Sequence, residues 1–219
     1  MFRSKFTKIL RIVASIFLVL VLVLVFCSLY VYSRPDHPVS LALFKFVYNI
    51  TPAKKSFLEF YSPYRRDVNA RYLPDEVDKL LCRNIETTNN EEEFSAIVNL
   101  YTMQAGGREG DCIFYVSESV KEKIAAEIIK QMDTEPNLWG QLILLEEMRL
   151  GKSLGKGYIG SSSPPYPSTR EEWDEWKEEY LPIGKEKYQE WWKSNLSWDE
   201  KRKIDPLKDA VIHIYSCCG

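Results

Sequence analysis

The sequence predicts an all-α protein: one N-terminal transmembrane helix, then a small domain of antiparallel helical pairs closed by a Trp-rich C-terminal helical cap. Three observations predict it. Residues 12–32 form an uncharged, almost wholly apolar run; residues 74–150 repeat apolar side chains at helical spacing; and five of the six tryptophans fall between Trp173 and Trp198. The 219-residue chain carries 29 Lys or Arg against 31 Asp or Glu, a formal charge of -2. That balance lacks the basic excess of a nucleic-acid binder. With 45% hydrophobic residues and only 10 glycines, the chain is neither disordered nor collagen-like, and the part beyond the apolar run suffices for one domain.

The apolar run, IVASIFLVLVLVLVFCSLYVY, has 21 residues from Ile12 to Tyr32. As a helix it extends roughly 31 Å, the thickness of a bilayer's hydrocarbon core. Arg3, Lys5, Lys8 and Arg11 precede it with no acidic neighbour, and Tyr30 and Tyr32 suit the interfacial aromatic belt. The positive-inside bias then makes residues 1–11 a cytoplasmic tail and puts the domain outside, at the periplasmic or cell surface. The run is longer than a signal-peptide core and has no A-x-A-like cleavage site, so it reads as a retained single-pass signal anchor. Phe26 stands where a lipoprotein pattern wants a small residue before Cys27.

Residues 33–73 form a juxtamembrane segment divided by Pro35, Pro38, Pro52 and Pro63, each of which biases its predecessor away from helix. Its second half interleaves Phe57, Phe60, Tyr61, Tyr64 and Tyr72 with Lys54, Lys55, Arg65, Arg66 and Arg71. Such a mixture suits an interfacial helix on anionic lipid. Packing of the aromatics on the downstream domain, 74–219, is the favoured alternative, because no broad polar face is present.

Four amphipathic helices follow in series. Pro74 opens the first, with acids in its first turn and Val77, Leu80 and Leu81 on one face. Asn90 caps the second ahead of Glu91, Glu92 and Glu93, and Phe94, Ile97, Val98 and Tyr101 keep i, i+3, i+4, i+7 spacing. Ser117 or Ser119 starts the third, whose stripe is Val120, Ile124 and Ile128; the fourth carries Leu138, Trp139, Leu142 and Ile143 and ends at Gly151. Phe94, Ile97, Val98 and Met103 recur 45 positions later as Trp139, Leu142, Ile143 and Met148. With this echo, and with RLGKSLGKGYIG leading to a KYQEWWKSN helix, the sequence resembles a short HEAT-like α-solenoid with a C-terminal cap. The resemblance implies binding to a protein partner rather than catalysis.

Residues 151–168 read as a Gly/Ser/Pro-rich loop. Ser168, with Glu171 three residues on, is expected to cap a helix carrying Trp173, Trp176 and Tyr180 on one side; the piece after Pro182 repeats the arrangement with Tyr188, Trp191 and Trp192. One reading makes these six aromatics a binding surface for sugar rings, with the acids of Glu171 to Glu179 serving hydrolysis of an envelope glycan. A packed cap and a solvated acidic face are the favoured readings. The tail AVIHIY is left unassigned.

No catalytic, cofactor-binding or metal-ligating constellation emerges. The GKS at 151–153 lacks the upstream glycine of a phosphate loop, having Glu146 there, and follows a helix rather than a strand. GGREGDC serves as well for an interhelical turn as for an anion cradle. Asp111-Cys112 as a nucleophile site needs a nearby His, and only His37 and His213 exist. Outside the apolar run lie four cysteines, Cys82, Cys112, Cys217 and Cys218, an even number suited to an oxidising compartment. The favoured pairing bridges Cys217 and Cys218 each to Cys82 or Cys112. The runner-up keeps one bridge and leaves a reactive pair at the tail for thiol redox, and a further reading makes His213, Cys217 and Cys218 soft metal ligands. Asn49 and Asn195 open N-x-S/T tripeptides that accept glycans in a eukaryotic host. The expectation is a non-enzymatic interaction or scaffold protein with a membrane anchor, no cofactor and no nucleic-acid partner. Its oligomeric state is left open.

Overall fold

In the computed structural model of the chain, the described residues are 14–16, 18–19, 22–23, 25–26, 38–52, 54–61, 75–103, 112–134, 136–154, 158–161 and 169–215. They divide into two compact units, Met1–Pro52 and Ala53–Gly219. The second unit begins directly after Pro52.

In the first unit, the described residues between 14 and 26 are helical and their large apolar side chains are open, from Val25 at 51% exposure to Phe26 at 70%. Among the described residues no helix is long and apolar enough to cross a membrane. The expected span at 12–32 therefore lies partly outside the described residues and is not supported as a continuous helix. Helix α1, Pro38–Ile50, starts on a proline, which costs nothing at the first helical position because its amide would be unpaired there. Phe44 and Tyr48 stack one turn apart, with ring centroids at 5.9 Å.

The second unit is mostly helical. Helix α2, Lys54–Tyr61, packs along α4, Glu91–Thr102, with Leu58 buried and Lys54 Nζ donating to Glu93 Oε1 at 3.0 Å. Helix α2 packs on the domain through Leu58, and Phe57 is half-buried; residues 62–74 lie outside the described residues. Helix α3, Asp75–Thr87, begins with Asp75, Glu76 and Asp78, charges that suit the positive end of its dipole. It runs antiparallel to α4, since Asp78 in its first turn meets Tyr101 in the last turn of α4. Asn90 caps α4 as expected, its Oδ1 accepting from the amides of Glu92 and Glu93.

A 3-10 turn, Cys112–Phe114, then leads to α5, Glu118–Gln131, with Ser117 in the cap position. Gln131 Nε2, at the end of α5, donates to Ser95 O near the start of α4 at 3.0 Å, so these helices are also antiparallel. Helix α6, Leu138–Leu150, ends where Gly151 takes a left-handed φ of 68° and its amide donates to Glu147 O, the glycine-terminated stop read from the sequence. At its other end α6 touches α4 closely: Asn137 Nδ2 donates to Thr102 O at 2.9 Å, and Gly140 lies against the same carbonyl. The core comprises Ile97, Ile124, Ile128, Leu142, Ile143 and Leu145, all fully buried.

The C-terminal region departs from the sequence reading in three ways. One helix, α7, Arg170–Lys193, runs through Pro182 instead of breaking there. The missing bond at Pro182 is tolerated because Leu181, Gly184 and Tyr188 bury one side of the helix against the core while Pro182 stays exposed. Its cap is Thr169 with Glu172, a reciprocal capping box one residue later than expected. Finally, β1, Tyr158–Ser161, lies within the stretch read as loop and pairs antiparallel with β2, Ile212–Tyr215, in the unassigned tail. Register pairs Ile159 with Ile214 and Ser161 with Ile212, and Ile159 and Ile212 are fully buried on their common face. Gly184 lies against this sheet, where a Cβ would meet the movable end of Ile212, Cδ1, at 2.7 Å. Between them sits the short helix α8, Trp198–Lys201.

Candidate functional site

The two cysteines predicted to bridge to the tail are bonded to each other: Cys82 and Cys112 form a disulfide with Cα atoms 6.2 Å apart. This corrects the expected pairing. Each sulfur makes one such bond, so neither is left for Cys217 or Cys218, which lie outside the described residues. The physical reason is local. The turn at Cys112 folds back onto α3, where Cys112 N donates to Asp78 Oδ2 at 2.8 Å, and that bond delivers the sulfur to Cys82 one helical turn beyond Asp78. Cys112 is thereby removed as a nucleophilic thiol while the bridge is closed.

Asp78 is one of the acids in the first turn of α3. It is 4% exposed, and its other oxygen, Oδ1, accepts from Tyr101 Oη at 2.6 Å, with Cys82 Sγ 3.4 Å from the same hydroxyl. Burial of the carboxylate is thus matched by two strong donors. The ligand atoms of Asp78, Cys82 and Cys112 all lie within 4.8 Å. Both sulfurs are spent on the disulfide and both carboxylate oxygens on donors, so this arrangement suits a bridged pair better than a metal. A shallow hollow of about 240 Å³ opens over the bridge, with Lys79, Arg83 and Tyr115 at its edge. In sequence the only signal for it was the i, i+4 spacing of Asp78 and Cys82 on one helix face.

The aromatics form two clusters, both in the second unit. Trp173 and Trp176 of α7 meet Trp139 of α6 edge to face at 6.3 Å each, and Tyr180 stacks on Trp176 at 5.1 Å. Farther along, Trp191 contacts Tyr188, Trp192 and Trp198. Trp176, Tyr188 and Trp191 are buried, whereas Trp173, Tyr180 and Trp192 are half-buried. Tilted and edge-to-face rings are what packed aromatics adopt. The acids between Glu171 and Glu179 are exposed, with Asp174 paired to Lys177 at 2.9 Å. Because the start of α6 meets the start of α7, and Glu146 meets Tyr188 farther on, the two helices run in the same direction.

Behind the second cluster lies a buried polar lock that sequence reasoning missed. Glu146 Oε2 accepts from Tyr188 Oη at 2.6 Å and from Arg149 Nε at 2.7 Å, and Arg149 Nη1 reaches the carbonyls of Arg202 and Ile204. Burial and the adjacent Glu146 charge push the Tyr188 phenol well above its ordinary range. Burial alone would lower the Arg149 pKa, but its bond and charge pairing with Glu146 raise it. Arg202 Nη1 and Trp198 Nε1 both donate to Glu118 Oε2, tying α8 to the start of α5. Glu147, beside the GKS turn, accepts from the amide of Leu154 at 2.9 Å, so a carboxylate occupies the place where a phosphate loop would offer its amides. His213 sits on β2 in register with Gly160, on the opposite face from buried Ile212.

The chain matches no protein-family model, no curated protein and no solved structure.

Proposed function

We propose that this chain is a single-pass membrane protein, N-terminus inside, whose extracytoplasmic helical domain is HEAT-like in layout and binds a protein partner at the membrane surface. The observation that carries the anchor is the exposure of Ile16, Leu18, Val19, Leu22, Val23, Val25 and Phe26, each more than half open on helical backbone. Seven such side chains facing water cost far more than the same side chains facing lipid. The Cys82–Cys112 bridge supports an oxidising location for the domain. For binding, the support is a groove between α3, α4 and α5, with Ile85, Phe94 and Ala126 along it and Glu86, Lys123 and Lys130 at its rim. A few apolar side chains among polar ones and charges of both signs suit a reversible protein interface, which is about as polar as the rest of a protein surface.

A second reading, glycan binding, is favoured by the partial exposure of Trp173, Tyr180 and Trp192. The two are separated by photo-crosslinking from intact membranes. A crosslinker at Lys123 or Lys130 should capture a discrete protein, and one beside Trp173 should not. Capture beside Trp173 alone, or glycan binding abolished by Trp173→Ala in a folded protein, would replace the first reading with the second.

A further inference from the structure

The Cys82–Cys112 bridge is not sealed in the core. Both cysteines line the hollow that Lys79, Arg83 and Tyr115 border, but Cys82 is only 6% exposed whereas Cys112 is half-buried. Lys79 and Arg83 are both exposed and one turn apart on α3, and Tyr115 is 75% exposed. Glu86 borders the same hollow, so its lining carries one net positive charge, and the buried Asp78 carboxylate beside the bridge is matched by Tyr101 Oη and the Cys112 amide. At about 240 Å³ the hollow is smaller than the roughly 300–1,000 Å³ of sites for drug-sized ligands, so it admits the reactive end of a small molecule and leaves the rest outside.

We propose that Cys82–Cys112 is an exchangeable disulfide, opened at Cys112 by a small thiol that carries carboxylates, which Lys79 and Arg83 attract. Three observations converge on this chemistry. Exchange requires an incoming thiolate to reach one sulfur while the other departs, and the difference in exposure makes Cys112 the attacked atom and Cys82 the leaving group. Two cations beside the accessible sulfur raise the local concentration of an anionic thiolate and repel a cationic one. The departing Cys82 sulfur lies 3.4 Å from Tyr101 Oη, a hydroxyl able to turn toward it from Asp78.

The atoms balance as an exchange. The thiol RSH ionises to RS⁻ and a proton; RS⁻ bonds to Cys112 Sγ as the Cys82–Cys112 bond breaks, and Cys82 leaves as a thiolate that takes up the proton. The products are an R–S–S–Cys112 mixed disulfide and a Cys82 thiol, with no other oxidant or reductant consumed. In the return step Cys82 loses its proton again, its thiolate bonds to Cys112 Sγ, and RS⁻ leaves and takes up that proton, which restores the bridge.

The test uses the full-length oxidised protein in detergent. It is treated with glutathione (anionic), 2-mercaptoethanol (neutral) or cysteamine (cationic), then quenched by alkylation and mapped by mass spectrometry. The proposal expects the glutathione adduct on Cys112 and the alkylated thiol on Cys82. Lys79→Gln with Arg83→Gln should slow opening by glutathione about tenfold, as loss of two exposed charges implies, while cysteamine reacts no more slowly. In the unaltered protein, added salt should slow glutathione and leave 2-mercaptoethanol unchanged, which tests the charge effect without any variant. Adducts on Cys82, a double variant that reacts at the original rate, or opening only in denaturing urea would each overturn it. Failure of these results leaves the partner-binding reading untouched, because that reading rests on the α3–α4–α5 groove.

Discussion

Gly140→Ala is the sharpest probe of how α4 and α6 are joined. In an ordinary helix interior this change stabilises by about 1 kcal/mol, because alanine loses less backbone freedom than glycine. Here the added Cβ would sit 1.9 Å from Thr102 O and 2.5 Å from Asn137 Nδ2. Contacts of a Cβ do not fall below 3.0 Å, so the two helices must part by about 1 Å or more at this end. The obstruction is a backbone carbonyl, which no rotamer change removes. Separation also breaks the 2.9 Å bond from Asn137 to Thr102 O, worth about 1 kcal/mol. Adding about 1–3 kcal/mol for overpacking and subtracting the propensity gain leaves a net loss of about 1–3 kcal/mol. For a chain of this size that lowers Tm by about 2–12 °C. Gly184→Ala is the control. Its nearest atoms are the side-chain ends Ile212 Cδ1 at 2.7 Å and Leu142 Cδ1 at 3.0 Å, which can turn aside, so its net effect should stay within about 1 kcal/mol. Urea and thermal unfolding followed by circular dichroism read both. A Gly140→Ala protein as stable as the original would refute the close contact between α4 and α6.

Replacing both bridge cysteines, Cys82→Ser with Cys112→Ser, should cost about 3.6 kcal/mol from loop closure over their separation of 30 residues, seen as a lower urea midpoint. Tyr188→Phe removes a 2.6 Å hydroxyl bond to a buried carboxylate and should cost about 1.5–3 kcal/mol at neutral pH. Its pH dependence has a defined sign: the folded Tyr188 pKa is raised, so above pH of about 10 the unfolded chain ionises while the folded one does not, and stability falls. Tyr188→Phe should flatten that alkaline loss; an equal loss in both proteins argues against a buried, neutral phenol. Burial raises the Glu118 pKa, but donors Lys121 and Trp198 and the charges of Lys121 and Arg202 outweigh it and lower it. Stability from Glu118 is therefore present above its unfolded pKa of about 4.3 and lost as pH falls through the lower folded value. Glu118→Gln should reduce the acid sensitivity below pH of about 4, measured by the acid midpoint.

Much of the helical framework was legible in the chain. Asn90 with three acids behind it, and Gly151 after a continuous apolar stripe, are local signals that tertiary contacts did not overrule. What the chain did not show depends on partners distant in sequence. Pro182 reads as a break because a proline removes a helical bond; α7 continues because Leu181, Gly184 and Tyr188 are held by packing that no local window contains. The ribbon of β1 and β2 joins a Gly-rich stretch to the tail over some fifty residues, and neither half has strong alternation by itself. Cysteine counting identified Cys82 and Cys112 but not their mutual bond, because 4 cysteines allow three pairings and only the fold chooses. Asp78 and Tyr101 carried no marker of burial: an acid in a first helical turn is ordinarily solvated, and here a returning turn covers it.

The claim on which the account turns is that the bridged domain lies outside a membrane that the N-terminal segment spans. Intact cells are labelled with a membrane-impermeant maleimide before and after treatment with an impermeant reductant, and Cys82 and Cys112 are mapped. The account predicts no labelling before reduction and labelling of both after it, with the cell membrane still sealed. Labelling of Cys82 and Cys112 without reduction would contradict the bridge, and labelling only after the membrane is permeabilised would contradict the topology.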